Sequence, residues 1–287
     1  MMKFSESDYQ YAKSLGISKY SLDAQGEMLK NGFPKIALDR PATIGDGIIR
    51  LSKEEERELI RYFDEKKEHF KMLKFVPASG AASRMFQPFR ALRSTPESKG
   101  SISVISNLYR FPFFDDIKQE ADKKGISINA LQSNVQALAD FILEEAGMGF
   151  DSMPKGLVTF YNKGEERFNA FQLHLQEAND MGISEVHFTV SKKYLEEIKA
   201  TIPYKNIGFS IQKSATDYIC KVNEKAFRDD KGQLILRPSG HGALLDNLNE
   251  IDAQIYSRLN MLYAKDYKIS TDFQILWKGF RKLGAKV

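Results

Sequence analysis

Short apolar runs alternate with helical patterns beyond Gly149, and this alternation constrains the fold more than any other feature of the sequence. Five strands are predicted there, over residues 157–161, 185–191, 207–212, 218–222 and 233–237, and helices over residues 168–179 and 192–201 connect the first three. A chain that returns through a helix after each strand builds a largely parallel sheet with helices on its faces. The sequence therefore predicts an α/β fold, and ligands of such folds bind at the carboxyl ends of the strands.

The first third of the chain is predicted to be mainly helical. Ser52 and Glu55 form a capping box, and the helix that they open is expected to run to about Phe70. An apolar stretch over residues 72–78 then predicts a buried strand. Apolar positions recur with helical spacing over residues 127–146, which indicates an amphipathic helix.

A turn of small residues, SGAASR, follows the strand predicted at residues 72–78 and precedes a predicted helix. Small side chains let backbone N–H groups approach a phosphate, and a helix N-terminus favours an anion. Arg84 could pair directly with phosphate oxygens. The turn has neither the G-x-G-x-x-G nor the G-x-x-x-x-G-K-[ST] pattern, and the alternative is a tight strand–helix turn with a solvated arginine. The candidate phosphate-binding residues are Ser79, Gly80, Ala81, Ala82, Ser83 and Arg84.

A second turn, in the stretch RPSGHGALLDNL over residues 237–248, has the same form. A strand ends near Arg237, and Gly240, His241 and Gly242 precede a predicted helix. Two glycines let a ligand approach the backbone closely, and we expect these positions to require φ > 0. His241 could donate a hydrogen bond to a phosphate or a sugar hydroxyl, and the alternative is an exposed histidine in an ordinary glycine-rich turn.

Polar side chains follow the strand predicted at residues 207–212. Such a set suits recognition of a base or a ribose, and the alternative is an ordinary polar loop. The candidate residues are Gln212, Ser214, Thr216 and Asp217. Lys155, in a Pro-Lys-Gly stretch, is placed at the start of another predicted strand, whereas His69 and His174 lie on predicted helices and are expected to be solvated or packed.

Composition excludes several classes of protein. Cys220 is the single cysteine, so neither an intrachain disulfide nor a cysteine-based zinc site can form. No apolar run reaches the roughly 18 residues that a membrane helix needs, and the N-terminus has no hydrophobic signal region, so we expect a cytoplasmic protein. Of 42 basic and 38 acidic residues, seven basic and two acidic ones lie in residues 256–287, which leaves 35 and 36 in the rest. The body of the chain therefore has no basic excess for binding nucleic acid.

Five segments resemble, in their order, the uncharacterised bacterial family called domain of unknown function 4301. They are KFVPASGAASRMF, PKGLVTF, VHFTVS, FSIQKSATD and RPSGHGALLDNLNEIDA, and the resemblance spans roughly residues 33–255. More distantly, the same segments are similar to UDP-sugar pyrophosphorylases, which are nucleotidyltransferases with a glycosyltransferase-A-like sheet. The resemblance thus implies a Rossmann-like, mostly parallel sheet flanked by helices over residues 72–255, with a helical segment, residues 1–71, packed on it.

The same resemblance implies an activity. In the pyrophosphorylases a sugar 1-phosphate attacks the α-phosphorus of a nucleoside triphosphate, and pyrophosphate leaves. By carry-over, Arg84 and Lys155 would neutralise the phosphates, with Mg²⁺ bridging their oxygens. Gln212 would read the base, and His241 and Gly242 would face the sugar or its phosphate.

The sequence also departs from the pyrophosphorylase pattern. Ala81 and Ala82 stand where glycines are common, and a divergent basic tail, residues 256–287, replaces the strand that carries the metal-binding acid after the position of Asp252. Metal ligands are therefore not assigned. The expected ligands are a nucleotide or nucleotide sugar and a sugar phosphate, and the alternative to an enzyme is a non-catalytic or truncated paralogue that binds a nucleotide sugar.

Overall fold

A computed structural model describes residues 2–33, 35, 37–82, 84–202 and 206–251, with the backbone alone at His241. The chain divides into two compact units. We call residues 72–212 and 240–247 the sheet unit, and residues 2–71, 213–239 and 248–251 the terminal unit. The predicted boundary after residue 71 coincides with a division between units, whereas residues 213–239, which we assigned to the core domain, group with the N-terminal segment. The predicted tail, residues 256–287, lies outside the described residues.

The N-terminal segment is helical, as predicted. It contains α1 (Glu6–Ser14), α2 (Lys19–Asn31), the short strands β1 (Thr43–Ile44) and β2 (Gly47–Ile48), and α3 (Lys53–Lys66). The predicted capping box is confirmed, because the Ser52 N–H donates to Glu55 Oε2 at 2.8 Å and the Glu55 N–H donates to Ser52 Oγ at 3.2 Å. No residue of α3 is buried, so its cap and its ion pairs three residues apart stabilise a helix that has no core contact.

The sheet unit contains a parallel three-stranded sheet, which confirms the predicted α/β class. Its elements are β3 (Leu73–Pro77), α4 (Gln87–Ser94), α5 (Lys99–Ser106), α6 (Phe114–Lys123), α7 (Ile128–Ser133), α8 (Val135–Leu143), β4 (Tyr161–Lys163), β5 (Glu166–Phe168), α9 (Ala170–Asp180), β6 (Glu185–Val190), α10 (Leu195–Thr201) and β7 (Ile207–Ile211). The sheet order is β3–β6–β7, and both pairings are parallel. All three strands were predicted from the sequence, and their carboxyl ends lie at the same edge.

Three details of the prediction are wrong. Residues 157–161 do not form a strand, because Lys155–Leu157 make a 3₁₀ turn, Leu157 and Val158 enter separate hydrophobic cores, and β4 begins only at Tyr161. The helix predicted over residues 127–146 is broken at Asn134, whose Oδ1 accepts a hydrogen bond from the Ala137 N–H and caps α8. The helix predicted over residues 192–201 begins only at Leu195, because Lys192–Tyr194 form a 3₁₀ turn before it.

Two hydrophobic clusters hold the sheet unit together. One face of the sheet packs on α9 through Phe171, Leu175 and Phe188. The helices α4 to α8 enclose a second cluster that is rich in aromatic rings, with Phe86 and Phe150 stacked at 4.7 Å between centroids. Phe160 packs against this second cluster by stacking on Phe113, so the aromatic core reaches the segment just before β4.

The last described segment completes the terminal unit. It forms β8 (Tyr218–Ile219), β9 (Lys221–Val222), β10 (Lys225–Ala226) and β11 (Leu236–Arg237), and it ends in α11 (Leu245–Glu250), which has residues in both units. Ile219 and Leu234 share a core with Ala12, Ile17 and Leu22 of the N-terminal helices. No helix within the described ranges is long and apolar enough to cross a membrane.

A buried ion pair joins the two parts of the terminal unit. Asp8 is only 4% exposed and receives two hydrogen bonds from Arg228, to Oδ1 at 2.7 Å and to Oδ2 at 2.8 Å. The bidentate guanidinium, with smaller help from Ser5, lowers the pKa of Asp8 to about 2. Because the folded pKa lies below the unfolded value, the pair stabilises the fold above about pH 4.

We therefore expect acid to remove this stabilisation as the pH falls from about 4 to 2. The side chain of Asn cannot ionise. Between about pH 4 and 2, the free energy of unfolding of the terminal unit should therefore decrease less in Asp8→Asn than in the wild type. Chemical unfolding at a series of pH values, followed by a probe in the terminal unit, measures the difference. Parallel pH profiles for wild type and variant would contradict the assignment.

Candidate functional site

Backbone pairing connects the small-residue turn to the Pro-Lys-Gly stretch at the carboxyl end of β3. Gly80 O accepts a hydrogen bond from the Lys155 N–H at 3.0 Å, and the Ala82 N–H donates to Met153 O at 3.1 Å. The Ala78 N–H, just before the turn, donates to Thr189 O at the end of β6. Two segments more than 70 residues apart in sequence are thus held side by side at the edge where ligands of parallel sheets bind.

Lys155 projects from this junction. Its side chain is exposed, and its Cε lies 3.9 Å from where a Cβ of Gly80 would stand. Within the part of the chain that the structure describes, no carboxylate pairs with Lys155. The cation is therefore positioned by backbone pairing and is available to an anionic ligand.

Gly156 explains why the turn can hold Lys155 there. A Cβ at this residue would lie 2.6 Å from Cε2 of Phe171, a ring that is almost fully buried against the sheet. The 3₁₀ turn Lys155–Leu157 thus packs directly on the first turn of α9, which only glycine allows. The position of Lys155 is consequently tied to the hydrophobic core.

A cleft of about 380 Å³ opens beside this junction, within the sheet unit. Its walls are mostly apolar and aromatic, and its polar groups come from one lysine, one tyrosine and one histidine. The lining residues are Val76, Pro77, Ala78, Met85, Lys155, Gly156, Phe160, Tyr161, Ala170, Phe171 and His174. Such a cleft, apolar with few polar groups, is typical of small-molecule sites.

His174 is held by its neighbours on the wall of the cleft. Its Nδ1 lies 3.5 Å from Oε2 of Glu177, one turn further along α9. Lys74 Nζ lies 2.5 Å from the same Glu177 oxygen and donates to the His174 carbonyl at 3.0 Å. Burial, and then the positive charge of Lys74, lower the pKa of His174 below its usual range, so its imidazole is neutral at neutral pH.

Ala78 and Met85, on either side of the predicted phosphate turn, line the cleft, but none of the described residues of the turn itself does. Ser79 and Gly80 are half-buried and Ala81 is exposed, whereas Ala82 is buried and its N–H is already bonded to Met153. The expectation that the turn opens a helix is wrong, because α4 begins only at Gln87, and Ser83 lies outside the described residues. Arg84 is exposed and has no ion-pair partner among the described residues, but Met85 rather than Arg84 lines the cleft.

The glycine turn and Gln212 also belong to the sheet unit. The Gln212 N–H donates to Val190 O at 3.1 Å, which places this residue at the carboxyl end of the sheet. The expectation of positive φ at the two glycines is wrong, since Gly240 has φ −73° and Gly242 is not left-handed either. A Cβ at Gly240 or Gly242 would meet no described atom within 4 Å. Glycine is therefore not required at these positions by the described structure.

Four of the predicted ligand-binding residues belong to the terminal unit and do not line the cleft. They are Ser214, Thr216, Asp217 and Arg237. Thr216 Oγ1 donates to Lys213 O at 2.7 Å, and Asp217 O accepts a hydrogen bond from Gln25 of α2 at 3.3 Å. Burial raises the pKa of Asp217. Thr216 and Asp217 thus make contacts that hold the terminal unit together.

Sequence reasoning missed His174, Tyr161, Phe160 and Met85 as parts of the cleft. His174 was interpreted as an ordinary helical residue. Two signals could have pointed to it, namely the spacing of three residues between His174 and Glu177, and the position of α9 directly after the Lys155 segment and its hairpin.

The cleft does not offer a ligand set for Mg²⁺. Its ionisable side chains are Lys155, Tyr161 and His174, whereas Mg²⁺ requires carboxylate or other oxygen ligands. Glu177, the nearest carboxylate on α9, is engaged by Lys74. No group of three His, Cys, Asp or Glu side chains that could hold a metal ion occurs in the described ranges.

Fold and site together define a mixed α/β protein with a parallel sheet and a cationic cleft at the carboxyl end of its first strand. The sequence profile of the family described as "Domain of unknown function (DUF4301)" matches residues 5–261, and the chain belongs to this family. No curated protein and no solved structure matches the chain. The similarity to UDP-sugar pyrophosphorylases stays a prediction.

Replacing Gly156 should disturb the cleft through the core. In Gly156→Ala the new methyl group would overlap the Phe171 ring, and we expect a loss of about 1–3 kcal/mol in the free energy of unfolding. Gly164→Ala is a useful comparison, because Gly164 has open space around it but φ +66°, so its cost reports backbone strain alone. Equal stability of Gly156→Ala and wild type in denaturant titrations would contradict the tight packing.

Proposed function

We propose that the sheet unit binds a nucleotide or nucleotide sugar in the cleft, with the phosphates at Lys155. The observation that carries this proposal is the placement of Lys155. A cation without a described carboxylate partner has its backbone held by pairing at the carboxyl end of β3, where most of the residues that line the cleft are apolar. A hydrogen bond from such a cation to an anion is charge-assisted and therefore stronger than one between neutral groups.

The shape of the site supports a ligand larger than a phosphate ion. The cleft is of a size that accepts a small organic molecule, and Phe160 and Tyr161 offer flat surfaces for a base or a sugar ring. The N–H groups of Ser79, Gly80 and Ala81 make no backbone hydrogen bond within the described ranges, so they can donate hydrogen bonds to a phosphate. Arg84 adds a second cation close in sequence to this turn.

The finer fold is also a proposal. A glycosyltransferase-A-like arrangement is supported by the turn after β3, the pairing of that turn with the Pro-Lys-Gly stretch, and the parallel neighbours β6 and β7. In this arrangement Arg84 and Lys155 would have the charge-neutralising role that the resemblance implies. Gln212 and the backbone of Gly240, His241 and Gly242 belong to the same unit and are candidates for the remaining ligand contacts.

Binding without efficient turnover is the function that the described residues support best. Nucleotidyl transfer with Mg²⁺ requires a carboxylate that holds the metal against the phosphates, and the cleft provides none. The second candidate is transfer of a nucleotidyl group to a sugar 1-phosphate. It is favoured by the pairing of a small-residue turn with a Pro-Lys-Gly lysine, which is the combination that the pyrophosphorylase resemblance predicts.

Lys155→Ala should weaken binding of UTP and UDP-glucose by about 10- to 100-fold, because one charge-assisted contact contributes roughly 1.5–3 kcal/mol. Arg84→Ala should also weaken binding, but less, since Arg84 does not line the cleft. Isothermal titration calorimetry with and without Mg²⁺ measures both effects.

Lys99→Ala is the matched control for these variants, because Lys99 is an exposed lysine of the same unit and has no ion pair among the described residues. Its affinity should equal that of the wild type. Equal affinity of Lys155→Ala, or absence of binding to the wild type, would overturn the proposed function.

Turnover should be slow or absent. We expect the purified chain to release pyrophosphate from nucleoside triphosphates and sugar 1-phosphates, with Mg²⁺ present, at far below about 1 per second, which is the lower end of the usual enzyme range. A coupled pyrophosphate assay over a panel of bases and sugars tests this. A rate within that range, abolished in Lys155→Ala, would establish the transferase instead.

A further inference from the structure

Three side chains in successive contact, Lys74, Glu177 and His174, lead from β3 to the cleft. Lys74 on β3 holds Glu177, the Glu177 carboxylate lies 3.5 Å from Nδ1 of His174, and His174 lines the cleft. Lys74 also donates to the carbonyl of His174, so it contacts both the backbone and the partner of this histidine. These contacts hold the imidazole of His174 on the side of the cleft formed by α9, the helix whose Phe171 packs in the core.

The Glu177 carboxylate influences which nitrogen of His174 carries the proton. A carboxylate beside Nδ1 favours the tautomer with hydrogen on Nδ1, which leaves a lone pair on Nε2. The contact is long for a hydrogen bond, and such contacts between functional side chains commonly shorten when a ligand binds. Nε2 is therefore a hydrogen-bond acceptor, in a cleft whose other polar side chains are a lysine and a tyrosine.

We propose that Nε2 of His174 accepts a hydrogen bond from a hydroxyl group of the bound ligand, with Glu177 and Lys74 as positioning residues. This inference rests on the proposed function, because it assumes that Lys155 binds the phosphates of the same ligand. A cation for phosphate and a neutral acceptor for hydroxyl together select a phosphate ester of a sugar over a bare phosphate or pyrophosphate. His174 is thus a specificity-determining residue of the cleft.

The charged groups around His174 agree with a neutral acceptor. Lys74 from β3 and Lys155 from the 3₁₀ turn are positive, Glu177 from α9 is paired with Lys74, and Tyr161 from β4 is the remaining ionisable group that lines the cleft. Burial and Lys74 disfavour protonation, and Glu177 opposes them only partly, so the pKa of His174 is lowered. The acceptor is present at neutral pH and is lost when acid protonates Nε2.

The test compares two probes, UDP-glucose and inorganic pyrophosphate, in wild type and His174→Ala. We expect His174→Ala to weaken binding of UDP-glucose by about 10-fold, which is typical of one lost hydrogen bond, and to leave the affinity for pyrophosphate unchanged. His174→Gln, which keeps an acceptor, should retain part of the affinity and provides a second variant if the alanine variant is unstable. Melting curves confirm that each variant is folded.

The pH dependence of affinity separates an acceptor from a cation. UDP-glucose keeps a constant charge between about pH 8 and 5, so a fall in wild-type affinity over this range reports protonation of the protein. We expect that fall in the wild type and its absence in His174→Ala. A rise in affinity toward acid would show that His174 contacts phosphate as a cation and would overturn the inference.

Glu177→Gln tests the positioning role. Glu177→Gln alone should weaken the binding of UDP-glucose. In combination with His174→Ala it should cause no further loss of affinity, because its effect is transmitted through the imidazole. Additive losses would contradict the positioning role. If both probes bind but His174→Ala changes neither, or changes both equally, this inference fails and the proposed function stands; if the wild type binds neither probe, the proposed function itself fails.

Discussion

The backbone pairing of residues 80–82 with residues 153–155 is the contact on which the rest of the site depends. The Gly80 carbonyl and the Ala82 N–H are both bonded to this second segment, so the turn after β3 is held in one conformation. Lys155 then projects from a rigid strand-like junction and not from a free loop. The backbone of Lys155 is therefore already ordered before an anion binds, and the ordering cost of binding falls on its side chain.

Helix α9 joins this junction to the core and to the cleft. Phe171, on its first turn, packs under Gly156 and against Phe188 of β6, while His174 and Glu177 follow at three-residue intervals. One helix therefore supports the lysine turn through van der Waals contact and supplies a cleft residue of its own. Changes in the core below α9 should reach both groups, because tightly packed interiors transmit small displacements.

The local conformation of several segments follows from sequence alone, but their pairings do not. The three strands of the sheet are short apolar runs, and α3 of the terminal unit begins with the capping box of Ser52 and Glu55, so both are recognisable without a structure. By contrast, residues 157–161 have the composition of a strand and yet form a turn, since Leu157 and Val158 are each drawn into a different core. The apolar residue types of this segment indicate that it is buried, but its packing in the two cores determines that it forms a turn and not a strand.

The candidate site shows the same division. Sequence determined that small residues and Arg84 follow β3, that Lys155 stands in a Pro-Lys-Gly turn, and that the family is that of domain of unknown function 4301, because these are local patterns of residue type and order. Only the tertiary structure decided that His174 lines the cleft, that Thr216 and Asp217 pack in the terminal unit, and that Gly242 needs no left-handed backbone. The physical reason is that such roles depend on contacts between residues far apart in the chain. Lys74 and Glu177 meet across 103 positions, and no local pattern records that separation.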